Sequence, residues 1–278
     1  MTFTVDPTAY TRFMGRFSEP LAQKFGSLLE LHPGDHALDV GCGPGALTAV
    51  LAGALGEASV SAVDPSEPFV DAVRTRYPLV DCRLGSAEAL PFGSHQFDVT
   101  AAQLVVHFMK DPVQGLREMA RVTRPGGTVA ANTWDFTDGA GPLAPFDEAR
   151  RDLNPQAHRD PPLPGSVEGD LGRIFAAAGI RDVRSSVLTV EVEFASFDQW
   201  WEPFTLGVGP VGAYVKSLTT AGIAALRHAC AERLPSGSFS TVASAWVAVG
   251  TVATDGDADH AHRRHPLHRG EAGRDHSR

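Results

Sequence analysis

Asp39 stands just ahead of the run Gly41-Cys42-Gly43-Pro44-Gly45, and Asp64 follows 23 residues after Gly41. Glycines at alternate positions let the backbone take positive φ and come into contact with a ligand. Placed between a strand and a helix, such a loop suits the polar part of a nucleotide. An acidic side chain at the end of the next strand accepts hydrogen bonds from both hydroxyls of a ribose. The loop alone is ambiguous: Gly41-x-Gly43-x-x-Ala46 also satisfies the dinucleotide pattern, and glycines serve turns that bind nothing. Asp64 has a plainer alternative as the cap of the helix after Pro65, although Ser66 is better placed for that. Together the loop and the acid point to an adenosine-type ligand. His107, four residues past Gln103, is placed at the mouth of such a site to take a proton from a hydroxyl. Its ordinary alternative is a partly buried, hydrogen-bonded histidine in a helix.

These residues need a scaffold, and the hydrophobic pattern supplies one. Ala37–Val40 reads as a buried strand running into the loop, Ala46–Leu55 as the helix after it, 59–63 as a second strand and 65–76 as a second helix. Asp81–Leu84 and 97–102 read as further strands. Asp111-Pro112 caps a helix ended by Arg124-Pro125-Gly126-Gly127, and 128–132 is a fifth strand. Strands alternating with helices imply parallel pairing through right-handed crossovers, hence an α/β, doubly wound, mostly parallel sheet that binds ligands outside its carboxyl ends. Ahead of it, Asp6-Pro7 caps an N-terminal helical region, and residues 1–31 are expected to form a lid. The main domain is expected over 32–253, with a helical insertion near 197–234 and a Pro- and Gly-rich stretch of little periodicity over 138–169. Residues 254–278, rich in His and Arg, are expected to be a disordered tail. Its histidines match metal-binding tracts, but interleaved with arginines they read as solvated, and no metal is expected.

Composition excludes several classes. Lys and Arg total 24 against 33 Asp and Glu, a net charge of -9, which disfavours the clustered positive surface that nucleic-acid binding needs. The three cysteines, Cys42, Cys82 and Cys230, form no C-x-x-C pair, so a reducing, cytoplasmic setting is expected. No run of about 18 apolar residues and no signal peptide appears, so no membrane span is expected.

The motifs in sequence order resemble class I S-adenosylmethionine-dependent methyltransferases, most closely the ubiquinone/menaquinone-biosynthesis-like branch that acts on small molecules. Ala37-Leu38-Asp39-Val40-Gly41-Cys42-Gly43-Pro44-Gly45 resembles the first motif, and Ser61-Ala62-Val63-Asp64 the acidic second strand. Gly85-Ser86-Ala87-Glu88-Ala89-Leu90-Pro91-Phe92 resembles the adenine loop, Phe97-Asp98-Val99 the fourth strand, and the stretch ending Arg124-Pro125-Gly126-Gly127 the helix and turn before strand five. The likeness spans residues 10–252 and weakens toward the end. It implies a Rossmann-like sheet of seven strands with the last antiparallel, and S-adenosyl-L-methionine as cofactor.

Carried over position by position, the resemblance places Asp39, Gly41, Gly43 and Gly45 in the loop that holds the cofactor, with the first three around its methionine end. Asp64 falls on the ribose and Pro65 beside the adenine. Ser86, Ala87 and Glu88 fall at the adenine edge, where relatives often carry an Asp at the position of Ser86. A hydroxyl is the weaker acceptor. Gln103 and Leu104 fall beside the methionine moiety, and Tyr10 and Arg16 of the lid would close over its carboxylate, for which the planar arginine fork is suited. Trp200, Trp201, Phe194, Phe197 and Phe204 either line an apolar acceptor pocket or form the core of the insertion, and Trp134 and Asp135 are further acceptor-side candidates. The implied activity is methyl transfer to a small-molecule acceptor, with O- or C-methylation favoured and His107 as base. A methyltransferase-like binding protein without activity, or a nicotinamide-dependent oxidoreductase, remains open at this point.

Overall fold

All four residues of Ala37–Val40 are buried, the burial of a strand covered on both faces by helices. In the computed structural model, which describes residues 6–137, 139–154 and 162–254, this strand, β1, lies inside a sheet of seven. β2 (Val60–Asp64), β3 (Asp81–Leu84), β4 (Phe97–Gln103), β5 (Thr123–Trp134), β6 (Arg181–Phe194) and β7 (Phe239–Thr251) complete it, in the order β3-β2-β1-β4-β5-β7-β6. β1 to β5 pair in parallel, and β7 runs antiparallel between β5 and β6. The strand order reverses between β1 and β4, and the chain leaving their carboxyl ends departs in opposite directions and opens a crevice. The expected Rossmann-like sheet with its antiparallel last strand is therefore present.

The helices run in chain order as α1 (Pro7–Tyr10), a π turn (Thr11–Gly15), α2 (Arg16–Gly26), α3 (Ala46–Leu55), α4 (Glu67–Arg76), α5 (Pro112–Val122), α6 (Ala144–Leu153), α7 (Asp170–Ala177), α8 (Phe197–Trp201), α9 (Gly209–Ser217) and α10 (Thr220–Ala231). Asp6 accepts from the Ala9 amide at 3.0 Å and Asp111 from the Gln114 amide at 2.9 Å, as side-chain caps do.

Three local readings differ from expectation. The N-terminal helix is broken by the π turn and stops at Gly26. α6 lies inside the stretch that shows little periodicity, because only Phe146 and Ala149 of its ten residues are buried and two residues leave no visible period. β5 begins directly after α5, taking in the Arg124–Gly127 turn. There Gly126 has φ 75°, and a side chain on Gly127 would stand 2.7 Å from the Asp98 carbonyl. The histidine-rich tail lies outside the described residues, as do residues 1–5 of the lid.

The aromatic residues around 197–206 pack inward. Phe146 stacks on Phe204 at 4.7 Å and 3°, and Trp200, Trp201 and Phe204 are 2%, 6% and 3% exposed. Trp134 is 2% exposed and meets Phe17 edge-on. These rings form the core joining the insertion to β5, β6 and the N-terminal segment, each buried ring contributing about 1.5–3 kcal/mol. Of the two readings open for Trp200, Trp201 and Phe204, the structure shows core packing. Trp134 is likewise a core residue and not a lining of an acceptor pocket. Asp135 closes the turn after β5, accepting at Oδ1 from the Thr137 amide at 2.9 Å and hydroxyl at 2.6 Å.

Candidate functional site

The loop after β1 carries positive φ at Gly41, Gly43 and Gly45, and two of these differ in what surrounds them. A methyl on Gly41 would stand 2.5 Å from Val105 Cγ2, whereas one on Gly43 would meet nothing within 4 Å. Gly41 is closed off by Val105 on the side a Cβ would take, yet its backbone borders the cleft beside Gly43, and Gly43 turns bare backbone toward open space. The loop is tied down from β2: the Gly41 and Cys42 amides donate to the Val63 carbonyl at 2.7 and 3.1 Å. Asp64 holds it as well. Its Oδ2 accepts from the Gly43 amide at 2.9 Å and its Oδ1 from the Ser66 amide at 2.8 Å. Each oxygen keeps a further lone pair for a ligand hydroxyl. Burial raises the Asp64 pKa, opposed by these two amides.

In front of Gly43 opens a cleft. Asp64, Pro65 and Phe69 line it from the β2 end and α4, and Gly85, Ser86, Ala87 and Glu88 from the loop after β3. Gln103, Leu104, Val105, Phe108 and Met109 line it from the chain after β4, and Tyr10 from α1. Asp39 and Gly45 lie behind the loop rather than on the cleft wall, and Gly45 is the left-handed N-cap of α3. Arg16 is elsewhere, its guanidinium 5.4 Å above the Phe194 ring.

At the end lined by the loop after β3, Glu88 sets a carboxylate next to Ser86. Ser86 Oγ donates to Glu88 Oε2 at 2.5 Å, and the Lys110 amide donates to Oε1 at 2.8 Å. Partial burial works against the charge of Glu88. Hydrogen bonds from the Ser86 hydroxyl and the amides of Glu88, Lys110 and Asp111 outweigh it and hold the carboxyl below its usual range. Tyr10 roofs this side, edge-on to Phe69 at 5.3 Å. Burial and the nearby Asp64 charge push its phenol up to about 12, so the hydroxyl stays protonated.

At the other end, buried polar atoms lack partners. Gln103 is 8% exposed, and its Nε2 donates to the Ser18 carbonyl at 3.0 Å, but Oε1 has no partner. Asp39 is 1% exposed; Thr48 donates to Oδ2 at 2.6 Å and Oδ1 has none. Burial, with the Asp64 charge adding and Thr48 opposing, pushes its carboxyl up to about 7. Such atoms cost about 1–3 kcal/mol each when unpaired, and the Gln103 acceptor at the end of β4, on the cleft wall, fits the ammonium of a methionine moiety. Leu104 has φ 61°, rare for a branched side chain. Its amide is held by the Asn132 carbonyl and Oδ1 at 3.0 and 3.2 Å. These residues fit S-adenosylmethionine, with ribose at Asp64 and the adenine edge at Glu88.

His107 lies in a 3-10 turn, Val106–Phe108, not on a helix. It is 7% exposed and sits behind Phe108, which borders the cleft in its place. Its Nδ1 is buried without a partner, and burial pushes its pKa down to about 4. Sequence reasoning missed Phe69, Gly85, Val105, Phe108 and Met109. For Phe69 a signal existed, its place in the first turn of the helix that follows the ribose acid. Among the described residues no group of three or more His, Cys, Asp or Glu is arranged to hold a metal, and no helix is long and apolar enough to cross a membrane.

Comparison with known proteins agrees with this geometry. A methyltransferase domain family matches residues 38–131. A Mycolicibacterium smegmatis protein named as an S-adenosylmethionine-dependent methyltransferase is 31% identical over 179 residues, 61% of this chain and 68% of that protein. A malonyl-[acyl-carrier protein] O-methyltransferase of Serratia marcescens is 32% identical over 133 residues, 48% of this chain and 50% of that protein. Against two other curated relatives the chain spans 32% and 41% of their length. Among solved structures, a methyltransferase from an antibiotic biosynthesis pathway of Anabaena variabilis superposes with a TM-score of 0.56 at 16% identity, covering 84% of this chain and 96% of the other; at that identity the likeness speaks for the fold. With the glycine loop, the Asp64 carboxylate and the reversed strand order already in place, the chain belongs to the S-adenosylmethionine-dependent methyltransferases.

Proposed function

We propose that the protein transfers the methyl group of S-adenosylmethionine to an oxygen or carbon nucleophile of a small, partly apolar molecule. The observation that carries this reading is the cleft itself, where the doubly anchored Asp64 carboxylate, the bare Gly43 backbone and the unpartnered Gln103 Oε1 converge. When bound, the sulfonium supplies an electrophilic methyl group; the acceptor lone pair forms the new bond, and the old bond pair stays on sulfur.

The protein's own work is to position the two reactants and keep water away. Asp64 orients the ribose and Glu88 the adenine edge. Gln103 faces the ammonium, Asp39 backs the glycine loop from behind, and Tyr10 and Phe69 cover the cleft. His107, the base that the sequence suggested, is neutral at physiological pH because of its burial and would meet an acceptor hydroxyl only with Phe108 moved aside. The buried free thiols of Cys42, Cys82 and Cys230 fit a reducing cytoplasm, and the excess of acidic residues fits a substrate other than nucleic acid.

Calorimetric titration with S-adenosylmethionine and with its demethylated product tests the cofactor site. A screen of small phenols, quinols, amines and carboxylates for methyl transfer tests the acceptor. Binding of either cofactor form is expected, and no binding at millimolar concentration would sink the reading.

A further inference from the structure

Ser18 and Gln103 stand 85 residues apart in the chain, and one hydrogen bond joins them. Gln103 Nε2 donates to the Ser18 backbone carbonyl at 3.0 Å, while Gln103 Oε1 has no partner. Gln103 borders the cleft, whereas among the described residues none of α2 does. The helix thus reaches the cofactor site through this side chain.

A backbone carbonyl can only accept, so Ser18 decides which way round the amide stands. Turned over, Gln103 would set Oε1 against the Ser18 oxygen, two acceptors with no proton between them, and would aim its NH2 group into the cleft. Both ends of the bond are firmly seated. Ser18 is 6% exposed, and its helix neighbours Phe17 and Leu21, at 4% and 0%, belong to the core. Gln103 ends β4 in register with Asn132, and the amide of the next residue, Leu104, is held by that same asparagine. A fixed acceptor with a free lone pair sorts ligands by sign: it attracts a cationic amino group and repels a carboxylate or phosphate oxygen. Asp64 and Glu88, the charged side chains on the cleft wall, act in the same sense.

We propose that the Ser18 carbonyl is a positioning group: through Gln103 it keeps an acceptor turned into the cleft, and so makes the site favour nucleosides that carry a cationic amino group. The inference rests on the cofactor reading above and says which atoms give that site its preference for the amino-acid end.

The test compares two ligands by calorimetry on the full chain: S-adenosylhomocysteine, and 5′-methylthioadenosine, which keeps the nucleoside and the thioether but lacks the amino-acid end. Gln103→Leu should weaken S-adenosylhomocysteine roughly tenfold or more, the range for a hydrogen bond to a charged group, and leave 5′-methylthioadenosine unchanged. Gln103→Glu keeps an acceptor for the ammonium but brings no proton to Ser18, so it should still bind S-adenosylhomocysteine less tightly than wild type. A further measurement needs no variant. In protein labelled with 15N-glutamine, the Gln103 side-chain amide, identified by its through-space contacts with α2, should exchange slowly with water before any ligand is added, and S-adenosylhomocysteine should shift it where 5′-methylthioadenosine does not. Equal weakening of both ligands by Gln103→Leu, wild-type affinity in Gln103→Glu, or a fast-exchanging amide in the wild-type protein overturns the positioning role and leaves the cofactor reading standing. If S-adenosylhomocysteine fails to bind the wild-type protein, both fall.

Discussion

The Gly43 amide donates to Oδ2 of Asp64 at 2.9 Å, which ties the glycine loop and the acid at the end of β2 into one hydrogen-bonded unit. Asp64→Ala therefore removes two things at once: an acceptor for ligand hydroxyls, and the partner of the Gly43 and Ser66 amides. Calorimetry should show S-adenosylhomocysteine affinity falling by about 1–3 kcal/mol, and the melting temperature should fall as well. Unchanged cofactor affinity would mean that the ribose lies elsewhere.

Gly41 and Gly43 should separate stability from binding. Gly41→Ala places a methyl 2.5 Å from Val105 Cγ2 at φ 71°, so about 1–3 kcal/mol of folding stability should be lost. Gly43→Ala meets no protein atom within 4 Å; it should cost about 1–2 kcal/mol through its positive φ and remove cofactor binding because the methyl enters the cleft. Paired thermal melts and titrations read the two effects apart.

Asp39 sets a pH dependence. Its folded pKa, pushed up to about 7 from 3.8 by burial, lies above the unfolded value. Its stabilising contribution is fully present below about pH 4 and is lost as pH rises through 7. Unfolding free energies of Asp39→Asn and wild type, compared from pH 4 to 8, should shift in favour of the variant up to about pH 7 and then level off. A gap that does not change with pH would show that Asp39 does not titrate in this window.

His107 has the opposite sign. With its pKa pushed down to about 4 from 6.5, the stability it contributes is present above pH 6.5 and lost as pH falls through 4. Turnover should accordingly show no inflection from this group between pH 5.5 and 8. His107→Ala should slow the single-turnover step about a hundredfold, the lower range of general base catalysis, with cofactor affinity retained. A wild-type rate in that variant removes the base assignment.

Phe204, 3% exposed and stacked on Phe146, should cost about 3–5 kcal/mol when replaced by Ala. Chemical denaturation measures this directly. A loss under 1 kcal/mol would return the ring to the list of cleft residues.

Much of this architecture was legible because its signals are local. The βα alternation around β1 and β2 places Gly41, Gly43 and Asp64 by chain distance alone, and the caps at Asp6 and Asp111 are single-residue cues. The illegible parts depend on contacts between distant segments. Glu88 comes to stand beside Ser86 because the loop folds back on itself through the Ser86–Ala89 bridge. His107 sits in a 3-10 turn that has neither helical nor strand periodicity, so its burial behind Phe108 left no pattern. Trp134 is apolar at the end of a strand, where the core and the ligand side both accept a large ring, and only the position of Phe17 decides between them.

Among the described residues, ring contacts and one exposed ion pair hold the segment that roofs the cleft. Tyr10 rests on Phe69 at 5.3 Å, Phe13 meets Phe204 at 5.4 Å, and Arg12 pairs with Glu202 where both side chains are 53% exposed, a pair worth about 0.2–1 kcal/mol. Lifting of this one short N-terminal segment would open the cleft without separating any strand. If product escape follows this opening, substitutions that harden the sheet beneath should leave the pace of turnover untouched.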